Sequence, residues 1–363
     1  MSCTVFELKA GKNPLESVKA EKDILENGRL KVEFDENGII TSIYDKVNRR
    51  ESLDGRGNIL TVSLDKCVHE TAWNLELNYQ KKMWELREAE SIEVIASDAL
   101  KGVIRIKRRF NKSLITQDII LYADSGKLVF DTEVDWHESD KVLKAGFDVA
   151  VIDTDATYEI AHGAIKRPTH WNTSFDQTKF EVAAHKWADL SEGDYGCSIL
   201  NDCKYGYDIH NSHMRITLMR APTCPDRTGD HGINTFKYAF FPHAGDWRAA
   251  TVQEALAFNV PPVAALNAQS IDGVIESGKS LVSLSRKDIV IDAIKQAQDG
   301  RGYIVRVVEQ EQKRGKVKLD WTFGFDKVIE CNMIEDDKAE IAENGTSFEF
   351  DIKPFEVKTF RII

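Results

Sequence analysis

Short runs that alternate apolar and polar residues, each closed by turn formers, fill most of this chain, and that period of two constrains the fold more than any other feature. The stretch RLKVEFDENGIITSIYD shows the rule: Leu30, Val32 and Phe34 alternate with charges, Asn37-Gly38 makes a turn, and residues 39–44 return as a second strand. Further strands are predicted over 59–64, 91–96, 103–110, 113–122, 127–136 and 142–151. Parallel neighbours need crossovers of a dozen or more residues, usually helical, and no helical period separates these runs. The expectation is a mainly β protein built on a large antiparallel β-sandwich.

One helix is predicted. Asp246, after Gly245, is placed to cap open amides, and 247–258 keeps helical spacing through Val252, Ala255 and Leu256. Pro261-Pro262 bars further helix and marks the best boundary in a chain of 363 residues, long enough for two cores. The expected organisation is a lead-in over 1–24, a large sandwich over 25–260 and a small one over 261–363. In the last part, strands are predicted near 281–285, 290–295, 302–309, 315–321, 328–332 and 347–352, with a turn at Asn344-Gly345. That pattern fits a small immunoglobulin-like sandwich.

With 48 basic and 59 acidic residues the formal charge is −11, which disfavours nucleic acid as a partner. Lys107-Arg108-Arg109 lies in an alternating run and reads as a solvated strand face. No apolar run reaches the roughly 18–20 residues that cross a bilayer, so no membrane association is expected. The six cysteines, at 3, 67, 197, 203, 224 and 331, form no CxxC pair and read as free thiols. A cytoplasmic protein is expected, in which the sequons at Asn111, Asn172 and Asn344 stay bare.

Residues 167–208, RPTHWNTSFDQTKFEVAAHKWADLSEGDYGCSILNDCKYGYD, depart from plain alternation, and LMRAPTCPD follows at 218–226. RPTHWNTS, FEVAAHKWADLSEGDYG, LNDCKYGYD and LMRAPTCPD, in that order and spacing, resemble the α-mannosidases of glycoside hydrolase family 38. The resemblance covers nearly the whole chain but only the family's C-terminal β region. It implies a galactose mutarotase-like supersandwich followed by the smaller sandwich. It also implies that the Asp nucleophile, and the zinc ion held by His and Asp, belong to an N-terminal barrel outside this chain. On that reading the chain carries no catalytic residue and no cofactor of its own. Its partners are the barrel and, through the parent enzyme, mannosides. Residues 167–207 are then expected to form the surface that docks on the barrel, a patch through which the chain alone could also form a homo-oligomer.

The resemblance places Arg220 where the family's β region reaches a mannose, and a planar guanidinium suits paired hydroxyls. Arg220 could equally hold its loop by pairing with Asp226 or Asp230. Trp73, Tyr207 and Asp226 join it as candidate sugar contacts. Trp73 could stack on a sugar or serve as a half-buried loop anchor, and the family's acid beside it is here Asn74. Trp171 and Trp187 read as packing. Glu192/Asp194 and Asp226/Asp230 flank glycines and read as turn formers rather than catalytic pairs. Asp208, His210 and His213 permit a zinc site on paper, but 213 leaves the face shared by 208 and 210, which favours a hydrogen-bonded loop.

Two other functions stay open at this stage. A self-sufficient carbohydrate-binding module would take mannose on a concave sheet face. A mutarotase-like sugar epimerase would need a His and a Glu facing one cavity, and no such pair can be placed from the sequence.

Overall fold

A computed structural model describes residues 17–263 and 280–363. Two compact units divide them: one holds 17–159 and 165–261, the other 160–164, 262–263 and 280–363.

In the large unit the hairpin forms as read, pairing Leu30–Phe34 with Ile40–Asp45. Asp35 Oδ1 closes the turn by accepting from the amides of Asn37 (2.9 Å) and Ile39 (2.8 Å), while Gly38 takes φ 69°, which a Cβ would strain. The hairpin belongs to a five-stranded sheet whose first strands are Lys19–Glu21, within the stretch expected as a lead-in, and Ile24–Glu26, which crosses its end. Arg108 departs from its expected solvated face. It is buried and its Nη2 donates to the Asn37 and Gly38 carbonyls at 2.8 and 2.9 Å, pinning that turn, and burial pushes its guanidinium down to about 10.

A nine-stranded antiparallel sheet forms the second layer, with Tyr195–Asn201, Gly232–Ala244, Leu128–Trp136, Ser113–Tyr122 and Lys101–Phe110 as successive neighbours at its centre. A six-stranded sheet faces it: Val182–Ala183, Gly206–His210, His213–Ala221, Lys141–Asp148, Ile59–Leu64 and Met83–Glu85. Between them Phe147 of the six-stranded sheet stacks on Phe240 at 4.8 Å and meets Phe130 edge-on at 5.8 Å, both from the nine-stranded sheet. Each such ring, fully buried, contributes about 1.5–3 kcal/mol of transfer free energy.

The helix runs Thr251–Asn259 and starts later than predicted. Asp246 accepts from the Arg248 amide inside a preceding turn, so it caps that turn and not the helix. The helix covers the outer face of Tyr195–Asn201, where Thr251 meets Ser198 at 2.7 Å and Asn259 Nδ2 donates to the Asn201 carbonyl at 2.9 Å.

In the small unit the predicted strands over 315–321 and 328–332 are one strand, Gly315–Cys331, paired with Asp337–Ile352. Its first half also pairs with Val282–Leu284 and its second with Val357–Ile362, so a slipped register after Asp320 turns it from one ladder to the other. Asn344-Gly345 sits at that irregularity inside a strand rather than ending one. A core of Val305, Val317, Leu319, Trp321, Phe348, Phe350 and Phe360 fills this small β-sandwich.

Candidate functional site

On the outer face of the six-stranded sheet, charged and polar side chains replace the apolar ones that fill the inner face. In His213–Ala221 the burial pattern alternates until Leu218 and Met219, which are both buried. Strict alternation would send Arg220 to the opposite face from Arg215 and Thr217. A register slip against Lys141–Asp148, between Leu143 and Lys144, absorbs one residue and returns Arg220 to their side.

Lys144 lies at the centre of this face and is fully buried. Its ammonium donates to Asp208 at 2.6 Å and to Glu181, while Arg215 Nε donates to the other Asp208 oxygen at 2.6 Å. Two cations and two carboxylates thus balance. Burial would raise the Asp208 carboxyl, but Lys144 and Arg215 outweigh it and hold it below the usual carboxylate range. Lys144 responds in the opposite sense: burial would lower it, and Asp208 and Glu181 raise it. The Tyr79 hydroxyl lies 3.4 Å from both Glu181 and Asp208, and burial pushes it up to about 12. Glu181 is completed by Thr217, whose hydroxyl donates to Oε1 at 2.7 Å.

Above this floor opens a cavity of about 520 Å³ lined by Trp73, Phe180, Glu181, Tyr205, Thr217 and Arg220, among others. A smaller one of about 200 Å³ shares Tyr205, Gly206, Thr217 and Arg220 and adds Asp230 and Asn234. Arg220 joins the two. Its Nε donates to Asp65 at 2.5 Å and its Nη2 to the Asn74 carbonyl, leaving its other N–H donors for the cleft. Asp65 is buried, so Arg220 is aimed by a fixed anion.

Several sequence expectations change here. Arg220 pairs with Asp65, not with Asp226 or Asp230, because the strand carries it toward the 65–76 loop. Trp73 is 69% exposed rather than half-buried. Tyr207 is no sugar contact: it is wholly buried, packs edge-on against Tyr158 and accepts from Asn201. Asp226 lines neither cavity, since it is spent on the Thr228 amide (2.8 Å) and hydroxyl (3.0 Å) of its own turn. Glu181 and Lys144 were missed. Lys144 interrupts the otherwise apolar run VLKAGF, and that was the signal available.

The 167–207 stretch divides in two. Residues near Ser174–Gln177 are exposed, on a short turn capped by Thr173 and Asp176. Trp187–Ser191 and Tyr195–Asn201 are instead interior strands of the nine-stranded sheet, with Trp187 stacked on Trp247 at 5.2 Å, so they have no surface to dock. Trp171 packs against His210 in a tilted arrangement, with ring centroids 4.3 Å apart. Glu192 and Asp194 both pair with Arg50.

The zinc site that Asp208, His210 and His213 permit on paper does not assemble. Asp208 is taken by Lys144 and Arg215, His213 Nδ1 by Asp148 at 2.6 Å, and among the described residues no three His, Cys, Asp or Glu side chains converge. Among the described residues no histidine lines either cavity of the cleft, so none pairs there with Glu181 as an epimerase would require.

Residues 25–228 match the family described as glycosyl hydrolases family 38 C-terminal domain, and 288–360 match its C-terminal beta sandwich domain. Alpha-mannosidase G of Dictyostelium discoideum is 35% identical over 96% of this chain, and human alpha-mannosidase 2C1 is 32% identical over 93%. The chain spans about a third, 33%, of the length of each. A glycosyl hydrolase family 38 protein of Enterococcus faecalis shares the fold at a TM-score of 0.79 and 17% identity, covering 99% of this chain and 46% of that one. The chain belongs to glycosyl hydrolase family 38 and carries that family's C-terminal domains.

Proposed function

We propose that the chain is the non-catalytic C-terminal portion of a cytoplasmic α-mannosidase, in which it completes the rim of the site that hydrolyses terminal α-mannosides with retention. The carrying observation is the cleft in which Arg220, aimed by Asp65, stands beside the exposed ring of Trp73. A guanidinium offers paired donors to vicinal hydroxyls, and an indole face suits the apolar face of a pyranose. Retention needs two carboxyl groups about 5–5.5 Å apart across the scissile bond, one free to attack. The cleft's Glu181 is bound to Lys144 and Thr217, so nucleophile, acid and zinc are assigned to a barrel beyond this chain. The cytoplasmic assignment rests on the free thiols of Cys67, Cys197, Cys203, Cys224 and Cys331.

The test is turnover of p-nitrophenyl α-D-mannopyranoside by the purified chain, with and without added zinc. A rate equal to that of a heat-denatured sample is expected. A zinc-dependent rate clearly above it overturns the proposal.

A further inference from the structure

Among the described residues Glu181 is the one carboxylate lining the cleft's 520 Å³ cavity, and its surroundings differ from those of a surface acid. Its side chain is 17% exposed, with Oε2 fixed by buried Lys144 and Oε1 accepting from Thr217 at 2.7 Å. An ionised carboxylate accepts about four hydrogen bonds, and with Lys144, Tyr79 and Thr217 as donors this one, at the cavity wall, retains capacity for one more. The local backbone leaves room for it. A Cβ on Gly206, which lines the same cavity, would stand 3.1 Å from Glu181 Oε1 and 3.0 Å from Thr217 Cβ. Buried ion pairs add little net stability over well-packed apolar residues, so a lysine held beneath a cavity wall serves better as a fixed counter-charge than as a fastener.

The cleft therefore presents, on this chain alone, a fixed acceptor in Glu181, a fixed donor in Arg220 and aromatic surface in Trp73, Phe180 and Tyr205. A neutral polyhydroxylated ring matches that set. Each hydroxyl can donate to the carboxylate or accept from the guanidinium, while a C–H face rests on an aromatic ring. We infer that Glu181 is a specificity-determining residue, accepting a hydrogen bond from one ring hydroxyl of a pyranoside held between it and Arg220. The inference rests on the proposed function for the sugar class but not for Glu181 itself.

The test is a tryptophan-fluorescence titration of the whole chain with methyl α-D-mannopyranoside, which reads Trp73 at the cleft. Half-saturation near millimolar concentration is expected, as for a ligand bound by about 4 kcal/mol. Glu181→Gln should weaken binding about tenfold, the effect of losing one charge-assisted acceptor. Its unfolding midpoint reports whether it is folded. If that variant does not fold, the wild-type chain is titrated with singly deoxygenated methyl α-mannosides. One of these should bind about tenfold more weakly, and should do so in Arg220→Ala as well. Wild-type binding by folded Glu181→Gln overturns the inference, as does equal binding of all the deoxy sugars or no saturation up to about 100 mM. Loss of binding in Glu181→Gln without loss in Arg220→Ala overturns instead the role of Arg220 and leaves Glu181 standing.

Discussion

Two buried ionic clusters of the large unit have similar chemistry and different fates. The Lys144–Asp208–Arg215–Glu181 cluster ends at a cavity wall. The other joins Asp189, His243, Ser198 and Thr251 and is sealed on every side. There His243 Nε2 lies 2.7 Å from Asp189 and 3.2 Å from Ser198, and the Ser198 hydroxyl lies 2.7 Å from both Asp189 and Thr251. A serine, a histidine and an aspartate in contact suggest catalysis by composition. Geometry denies it, because serine and aspartate share one ring nitrogen where a relay needs opposite ones, and nothing from outside can approach. The sealed cluster ties the helix to the nine-stranded sheet. Residue types alone do not make a site; an open side does.

That contrast can be broken first at the charges. Lys144→Met leaves Glu181 without its buried cation and Asp208 with only Arg215, and should cost about 3–5 kcal/mol in urea unfolding. A loss under about 1 kcal/mol would show that the open cluster is not a coupled unit. Next in size is packing. A Cβ on Gly196 would fall 2.2 Å from Ser191 Oγ and 2.6 Å from His243, so Gly196→Ala should cost about 1–3 kcal/mol, whereas Gly193→Ala, with nothing within 4 Å, should cost little.

Acidity separates the clusters by sign. The depressed carboxyl of Asp208 stabilises the fold above its unfolded value near 3.9, a contribution lost as pH falls through the folded value. For His243 burial would lower the imidazole, but Asp189 outweighs it and raises the folded value. Its contribution is complete below about 6.5 and is lost as pH rises through the folded value. The urea midpoint should therefore fall below about pH 4 through the open cluster and fall modestly above about pH 7 through the sealed one. His243→Gln should remove the alkaline loss alone. Smallest of all, Trp73→Ala at the mouth of the cleft should change stability by no more than about 0.5 kcal/mol while weakening sugar binding, the signature of a residue that serves the opening rather than the fold.

Much of the fold could be read from period and punctuation. The strands at Ile59–Leu64 and Ser113–Tyr122 have their predicted ends, because turn residues bound them. Long-range register could not be read. The slip that brings Arg220 beside Thr217 depends on the partner strand, as does the union of 315–321 with 328–332. Arg220 itself was legible from its motif, but its partner Asp65 lies 155 residues away. Tyr207 was misjudged because a tyrosine in a polar-looking stretch gives no sign that its strand is covered on both faces. Glu181 was passed over for the same reason in reverse: its neighbours in sequence are apolar, and what makes it a site residue comes from other strands.

The most direct test of an open cluster that meets sugar and a sealed one that does not is amide and side-chain NMR of the chain titrated with methyl α-D-mannopyranoside. Saturable shifts are expected at 73–75, 178–183, 205–206 and 217–220, with none at Asp189, Ser198 or His243. Shifts centred on the sealed cluster, or none in the cleft, would contradict the account.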